Sequence, residues 1–385
     1  MSRPASRRIA VTLGLAFVIA LTSFPLAHAR SDASTVKVTT RDGFALALAP
    51  YRFAFPRDHA AHDDYQTEWW YYTGHLTAAD GRRFGYELTF FRFGLRPGDP
   101  RRRPGQSRWR GTQLYPAHFA ITDERTGRFV HVERFAREAL GAGGASTQRL
   151  DVHSDAWTLR GSTGRGTYTM RLHAAAQGDA LDLVQTPEKP PAIHGRGGVS
   201  QKAACASCAS HYYSFTRLAS RGTLRVDGTA YAVGGISWMD HEFGSSELQA
   251  NQAGWDWFSI QLDDRREVML YRLRQKDGTV TPQSSGSVIA RDGTVSHVLL
   301  DGFNITPTGS WKSPHTGGTY PSGWHVRIPS ANLDLTLTPT LIDQELANAS
   351  GVSYWEGSVD ATDARGVHRG VGYVELTGYA GAVSF

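Results

Sequence analysis

Residues 68–76 read Glu-Trp-Trp-Tyr-Tyr-Thr-Gly-His-Leu, and this aromatic stretch is the strongest indication of fold class in the chain. Its outline returns at residues 255–262, which read Trp-Asp-Trp-Phe-Ser-Ile-Gln-Leu. A turn follows each stretch, and a second strand-like segment comes next, at residues 84–91 and 267–274. Two halves that open with an aromatic strand and a hairpin favour two related β-domains, joined near residues 243–254.

The rest of the chain continues as short alternating runs rich in Val, Thr, Tyr, Phe and Trp. Four Asp-Gly pairs separate such runs, beginning at Asp80, Asp227, Asp277 and Asp292. Asp-Gly favours hairpin turns because both residues tolerate positive φ. Helical patterns occur only at residues 132–140 and 341–347, and they are too short and too few for repeated βαβ units. We therefore expect an all-β protein whose antiparallel strands form sandwiches or barrels.

The first 29 residues have the features of a secretory signal peptide. Arg3, Arg7 and Arg8 precede an apolar run at residues 9–21, and the segment ends in Ala-His-Ala at residues 27–29. The apolar run is shorter than the roughly 20 residues that span a bilayer, which favours cleavage over an uncleaved anchor. We expect an exported protein, periplasmic or secreted, with no membrane span after cleavage.

Composition excludes several classes of protein. The 385 residues contain 40% hydrophobic and 20% charged residues, with 41 Gly, which rules out a disordered polyampholyte, a coiled coil and a collagen-like chain. The formal net charge is +5, and loss of the signal peptide removes three positive charges and leaves +2. The sequence pI near 9.2 is therefore weak evidence for a nucleic-acid partner, and we expect none. The predicted domains are residues 30–245 and 246–385.

The aromatic strands supply the candidate ligand-binding residues. On a strand, Glu68 and Trp70 point to one face, while Trp69 and Tyr71 point to the other. One interpretation is a central strand packed on both sides, and the other is that one face lines a cavity with Glu68 as its polar anchor. A carboxylate among indoles must find an Arg, a backbone amide or a ligand. Further candidates from the remaining aromatic strands are Trp238, Trp255 and Trp257.

Residues 234–244 contain the candidate catalytic group, Asp240-His241-Glu242, flanked by Trp, Met, Phe and glycines. In an extended segment, Asp240 and Glu242 share a face with Trp238, and His241 points to the other face. Paired carboxyls in an apolar setting raise each other's pKa, and so keep a general acid protonated near neutral pH. The alternative is a structural ion pair with a nearby Arg. We expect no metal, because adjacent strand residues diverge and no metal-ligand spacing is present.

The two cysteines, Cys205 and Cys208, lie in a long connection rich in Pro and Gly at residues 186–208. Loops of this length in a compact domain are commonly functional or mobile. A redox or zinc motif lacks a second cysteine pair and the helical context that such sites need. In an exported protein we expect a local disulfide, with free thiols as the alternative. No nucleophile elbow Gly-x-Ser-x-Gly occurs, and we expect no cofactor.

Several motifs together resemble those of the AttH-like and carotenoid 1,2-hydratase family of lipocalin-like proteins, especially the exported branch labelled predicted secreted hydrolase. The residues that carry the resemblance are EWWYYTGHL (68–76), HYYSFTRL (211–218), GISWMDHEFGSS (235–246), GWDWFSIQLDD (254–264), EVMLYRLR (267–274), YPSGWHVRIP (320–329), DQEL (343–346), YWEG (354–357) and GYVELTGYA (372–380). The resemblance covers about residues 65–380. It implies two lipocalin-like antiparallel β-barrel domains packed together, with a ligand cavity near their junction.

The resemblance also implies chemistry, because relatives add water to a terminal isoprenoid double bond or fold polyenes. His241 and Tyr271 fall on positions associated with the hydratase active site. Phe243 stands where the family has a Trp, and Leu273 stands where it has an acid. The implied function is binding of an elongated isoprenoid or lipid-like ligand with acid-catalysed hydratase, lyase or isomerase activity.

Two alternatives to this activity remain at the level of sequence. One is a non-catalytic periplasmic carrier that serves an ABC-type permease, a partner implied by the family. The discriminating feature is whether Asp240 and Glu242 face an apolar cavity or are neutralised by Arg217 or Arg272. The other is a secreted hydrolase, which rests on the family label alone.

Overall fold

The computed structural model describes residues 38–97, 111–164, 166–245, 248–349 and 352–381, and within them the protein is all-β. The predicted signal peptide at residues 1–29 lies outside the described part. No helix within the described ranges is long and apolar enough to cross a membrane.

The first sheet takes its strands from residues 67–244. They are β1 (Thr67–Ala78), β2 (Arg83–Gly94), β3 (Gln113–Asp123), β4 (Arg128–Arg137), β5 (Gly143–Ala145), β6 (Asp151–Ser154), β7 (Trp157–Gly164), β8 (Thr167–Ala176), β9 (Asp179–Pro187), β10 (Ala192–Ile193), β11 (Ser200–Gln201), β12 (Ala209–Val226) and β13 (Thr229–Gly244). The strand order is β4-β3-β2-β1-β13-β12-β9-β8-β7-β6-β5, with β10 and β11 paired to β12. The Ser154 hydroxyl of β6 donates to the Tyr115 carbonyl of β3 at 2.7 Å, so the two ends of the sheet meet and the barrel is nearly closed.

The second sheet takes its strands from residues 252–377 and forms a half-barrel. They are β14 (Gln252–Leu262), β15 (Glu267–Gln275), β16 (Ser285–Ile289), β17 (Val295–Leu299), β18 (Asn304–Pro307), β21 (Trp324–Ile328), β22 (Leu333–Pro339), β23 (Glu345–Leu346), β24 (Tyr354–Thr362) and β25 (His368–Thr377), while β19 (Ser310–Lys312) and β20 (Thr319–Pro321) pair separately. All the strand pairs are antiparallel, as predicted. The domain boundaries at residues 245 and 246 stay a prediction.

The repeat seen in the sequence is a repeat in topology. Strand β1 pairs with the next strand, β2, and with the last strand of its sheet, β13. Strand β14 likewise pairs with β15 and with the last strand of its sheet, β25. Matched residues have matched environments, since Tyr72 and Phe258 are buried in the cores of their respective sheets. The two aromatic stretches therefore begin two sheets of the same plan.

Local sequence predicted the turns better than the helices. The Asp-Gly pairs that begin at Asp80, Asp227, Asp277 and Asp292 form turns, and their glycines have φ between 77° and 91°. The helix predicted at residues 132–140 is wrong, because Val130 and Val132 alternate inward on strand β4, beside β3, before a short 3-10 turn at Ala139–Gly141. The helix predicted at residues 341–347 is also wrong. There Glu345 lies on β23 and accepts a hydrogen bond from the Tyr320 hydroxyl at 2.7 Å, so tertiary contacts override helix propensity.

Candidate functional site

A cavity lies between the outer faces of the two sheets. The volume open to water-sized molecules is about 70 Å³, and about 760 Å³ of space, open solvent at the mouth included, lies between the walls. Aromatic rings, two apolar side chains and four charged groups make up most of its walls. Its lining residues are Trp69, Tyr71, Thr89, Phe91, Lys202, Tyr212, Asp240, Glu242, Leu248, Trp255, Trp257, Tyr271, Leu273, Tyr354 and Glu375. Ligand sites are typically lined by apolar and aromatic side chains with a few placed polar groups, and this lining fits that description.

Strand alternation explains why the repeated aromatic stretches meet here. Trp69 and Tyr71 point out of the first barrel, and their counterparts in the repeat, Trp255 and Trp257, point out of the second sheet. The rings of Tyr71 and Trp257 contact edge to face, with centroids 5.1 Å apart. Four of the predicted ligand-binding residues are thus brought together, two from each half of the chain.

Asp240 lies in this wall on β13 and is almost completely buried. The Tyr212 hydroxyl donates to its Oδ2 at 2.7 Å, and the Trp238 indole N–H donates to its Oδ1 at 2.6 Å. Ser214 also donates to this carboxyl. Burial raises the pKa of Asp240 to about 7, against the lowering effect of these hydrogen bonds. Near neutral pH the group is therefore poised between acid and carboxylate, which suits general acid catalysis.

Glu242 faces the cavity from the same side of β13 and is paired with a lysine. The Lys202 ammonium lies 2.6 Å from its Oε1. That ammonium also sits over the ring of Tyr271, 4.5 Å from the centroid, and over the ring of Tyr212 at 5.3 Å. Tyr271 itself is fixed by the Ser285 hydroxyl, which donates to its oxygen at 2.9 Å. This end of the cavity therefore holds one positive charge against tyrosine faces.

The loop that carries Lys202 is closed by a disulfide between Cys205 and Cys208. The backbone N–H of Lys202 donates to the Cys208 carbonyl at 2.8 Å. The Gln252 amide donates to the Lys202 carbonyl at 2.9 Å. These contacts tether the lysine beside the cavity.

Glu375 is a cavity group to which the sequence analysis assigned no role. It lies on β25 directly opposite Trp257 of β14, and the Trp255 indole N–H donates to its Oε2 at 2.8 Å. Burial raises the pKa of Glu375 to about 8, and the nearby charges of Glu87 and Asp240 add to the rise. The sequence feature that could have identified Glu375 is a single acid among apolar residues in the motif at residues 372–380.

Glu375 lies near the position where the family resemblance implies an acid and where this chain has Leu273. Leu273 lines the cavity from β15, opposite Trp255 of β14, and Glu375 lines it from the strand on the other side of β14. A carboxyl is thus present two strands away from the expected position, on the same face of the sheet.

Two more buried carboxyls stand behind cavity tyrosines. The Tyr71 hydroxyl donates to Glu356 Oε1 at 2.6 Å, and the Tyr354 hydroxyl donates to Glu87 Oε1 at 3.3 Å. Burial raises the pKa of Glu356 well above its usual range, and it raises the pKa of Glu87 as well. The second oxygen of each carboxyl is buried without a hydrogen-bond partner among the described residues. Sequence reasoning missed both.

Three predicted site residues lie away from the cavity, on the opposite face of the first sheet. Glu68, Trp70 and His241 are fully buried toward the barrel interior, since side chains alternate along β1 and β13. The prediction that His241 points away from Asp240 is confirmed, and its ring does not line the cavity. Trp238 is in contact with Asp240 without lining the cavity.

Glu68 has the ionic partners that its burial requires. Arg92 Nε donates to its Oε2 at 2.7 Å, and the rings of His62 and His241 each lie 2.8 Å from its Oε1. Burial acts to raise the pKa of Glu68, but Arg92 and the two histidines hold it well below its usual range. The expected anchoring of a ligand by Glu68 is replaced by an internal ion cluster.

The same cluster is the one place among the described residues where three metal-ligating side chains converge. The ligand atoms of His62, Glu68 and His241 lie within 4.8 Å of one another. However, the carboxyl already receives the Arg92 guanidinium and the His62 backbone N–H at 3.0 Å. The short His–Glu distances are those of hydrogen bonds, so the donors fit an ion cluster better than a metal.

The arginines that would neutralise the acids are engaged elsewhere. Arg217 pairs with Glu267 at 2.6 Å, and Arg272 pairs with Asp256 at 2.8 Å. Asp240 therefore faces the cavity with hydrogen-bond donors and no arginine partner among its described contacts.

Comparisons with known proteins agree with this architecture. A family model described as AttH-like matches residues 46–379. A solved structure described as an AttH protein of Nitrosomonas europaea is 32% identical, covers 87% of this chain and 100% of its own, and has a TM-score of 0.78. Kievitone hydratase from Nectria haematococca is 15% identical over 90% of this chain and 96% of its own, with a TM-score of 0.61, which shows a shared fold. No curated protein matches the chain. The chain therefore belongs to the AttH-like family.

Proposed function

We propose that the cavity between the sheets binds an elongated apolar ligand and catalyses hydratase-type, lyase or isomerase chemistry on it by proton donation. The observation that carries this proposal is the presence of two carboxyls, Asp240 and Glu375, with pKa values of about 7 and about 8 in the walls of one aromatic cavity. Such groups deliver protons near neutral pH in a setting with little water.

The reaction that these groups suit is addition of water to a carbon–carbon double bond. A carboxylic acid transfers its proton to one alkene carbon, which forms a C–H bond and leaves a cation on the neighbouring carbon. The oxygen of a water molecule then bonds to that carbon, and the proton that it loses returns to a carboxylate. Omission of the water step and loss of a different carbon-bound proton gives isomerisation with the same residues.

Each wall has a separate task in this scheme. Glu375 is the better proton reservoir because its pKa is the higher, and Asp240 is partly ionised near pH 7 and can accept the proton from water. The faces of Trp69, Trp255 and Trp257 stabilise the cation, an effect of about 2 kcal/mol or more when the cation is desolvated.

The shared fold with kievitone hydratase supports the hydratase class for this proposal. Export to the periplasm or medium, as the N-terminal sequence predicts, is part of the proposal. It would place the enzyme where apolar metabolites and envelope lipids are available.

The first test is to purify the mature protein from its host envelope under mild conditions and identify the bound small molecules by mass spectrometry. The control is the double variant Trp255→Ala, Trp257→Ala, which removes two cavity walls. A polyene or prenyl lipid that is present in the wild type and absent from the variant supports the proposal, and incubation with that compound must yield a hydrated or isomerised product. A phospholipid or lipopeptide that returns unchanged would instead indicate a carrier.

A further inference from the structure

The cavity has more acid than base around it. Asp240, Glu242 and Glu375 line it, and Lys202 is the one cationic side chain among its described lining residues. Behind the walls, Glu356 and Glu87 add two more carboxyls through their tyrosine partners. His118 is a basic side chain near these buried carboxyls, but it compensates little of their charge. Its ring lies 2.5 Å from the Tyr354 hydroxyl and also contacts Glu133, a carboxyl outside the cavity lining.

The chain itself shows how the cavity accommodates a positive charge. The Lys202 ammonium is held by a carboxylate, Glu242, and lies against the faces of Tyr212 and Tyr271. A carboxylate combined with aromatic faces is the arrangement that recognises alkylammonium groups. The remainder of the cavity places a protonated carboxyl, without a lysine, beside aromatic rings, because Glu375 lies beside Trp255 and Trp257, and this carboxyl becomes a carboxylate when it loses its proton.

We infer that this cavity is complementary to a positive charge on an apolar skeleton, so that apolar ammonium compounds bind it more tightly than neutral or anionic compounds of equal length. The inference rests on the proposed function, in which such a charge develops on the substrate, and it names a class of ligand that imitates the reaction's cationic intermediate. Stable mimics of a transition state bind more tightly than substrates. The site for the charge is the part of the cavity lined by Glu375, Asp240 and Trp69.

A bound ammonium also changes the protonation of the cavity. The carboxyls of Glu87, Asp240 and Glu242 disfavour the ionised form of Glu375, and so does Glu356, which lies directly opposite it on β24. A cation placed among them favours ionisation, so Glu375 loses its proton when the ligand binds near pH 7. Binding of an ammonium compound therefore releases about one proton, whereas binding of an alcohol releases none.

The test compares octyltrimethylammonium, 1-octanol and octanoate on the full chain. Binding is followed by the fluorescence of the cavity tryptophans, and proton release by calorimetry in two buffers of different ionisation enthalpy. We expect the ammonium compound to bind roughly tenfold or more tightly than the alcohol, octanoate to bind most weakly, and only the ammonium compound to release a proton.

Two pairs of variants separate charge recognition from general damage to the fold. Glu375→Gln is expected to remove most of the preference for ammonium and most of the proton release, with the remainder supplied by Asp240, while alcohol binding persists, and the matched Glu188→Gln, at a partly exposed carboxyl paired with Arg265, is expected to leave both unchanged. Trp69→Leu is expected to reduce ammonium affinity several-fold more than Trp69→Phe, since only the ring provides a π face.

The outcomes distinguish this inference from the proposed function. Equal or tighter binding of the alcohol, or ammonium binding without proton release, overturns the inference and leaves an apolar cavity in place. Failure of both alcohol and ammonium to bind overturns the apolar-ligand proposal together with the inference. Selective ammonium binding by a protein that converts no alkene supports the inference and contradicts the catalytic proposal.

Discussion

Replacement of Glu375 by Gln is expected to stabilise the protein at alkaline pH and to have little effect at acid pH. Glutamine keeps an oxygen to accept the Trp255 indole N–H but cannot ionise. Folding raises the pKa of Glu375 from 4.5 to about 8, so the folded state binds this proton more tightly than the unfolded chain. The stability contributed by the protonated group is fully present below about pH 4.5 and is lost as pH rises through 8.

The size of the effect follows from the shift. Each pKa unit corresponds to about 1.4 kcal/mol, so a shift of this size gives about 5 kcal/mol in total, of which about 4 kcal/mol is lost between pH 5 and pH 9. That amount is a large part of the 5–15 kcal/mol by which proteins are typically stable, so it is measurable. Asp240, with its pKa of about 7, also makes the free energy of unfolding fall as pH rises. It does so in both proteins, so its contribution largely cancels in the comparison.

The assay is urea unfolding of wild type and Glu375→Gln at 25 °C, followed by circular dichroism near pH 5, 7 and 9. The free energy of unfolding of the variant should exceed that of the wild type by an amount that grows with pH. Glu188→Gln, the matched change at a partly exposed carboxyl, should show no such trend. A constant difference across the pH range would refute the buried, neutral state of Glu375 and remove the main support for it as the acid.

Three further predictions concern the other parts of the site. Asp240→Asn should keep the fold and the affinity for the identified ligand but lose turnover, measured as product by mass spectrometry; unchanged turnover would contradict its role in proton transfer. Replacement of Cys205 and Cys208 by Ser should raise the affinity for octyltrimethylammonium several-fold, as measured by fluorescence titration, because release of the loop moves the competing Lys202 ammonium away from Glu242 and the tyrosine faces; unchanged affinity would show that the disulfide does not hold the lysine in the site. Arg92→Met should destabilise the protein by about 3–5 kcal/mol in urea unfolding because it leaves the buried charge of Glu68 unpaired, and adding Glu68→Gln should restore part of the loss.

The sequence was sufficient to predict the all-β class, the Asp-Gly turns and the paired aromatic strands, because each depends on local patterns of alternation and turn chemistry. It also predicted correctly that Asp240 and His241 point to opposite faces of β13. The prediction of which side chains line the cavity failed on a strand whose two faces are both aromatic. On β1 the pattern does not reveal that Trp69 faces the cavity and that Glu68 faces the barrel interior, since burial and partners are decided by distant strands.

Glu375, Glu356 and Glu87 were missed for a related reason. Each is a single acid in an apolar strand, which in sequence is indistinguishable from an outward-facing solvated residue. Only the packing of the two sheets turns those outward faces into an interior. The perturbed acidity of these groups is therefore a property of the junction between the sheets, and no local window of sequence contains it.

The repeat in the chain explains why the site has two halves. Equivalent outward faces of β1 and β14 supply the aromatic rings, and the last strand of each sheet supplies one carboxyl, Asp240 from β13 and Glu375 from β25. In an isolated sheet these faces would be exposed to water, and the pKa of each carboxyl would return toward its ordinary value. The two sheets are therefore both required for the acidity of the site, and neither can be a merely structural partner of the other.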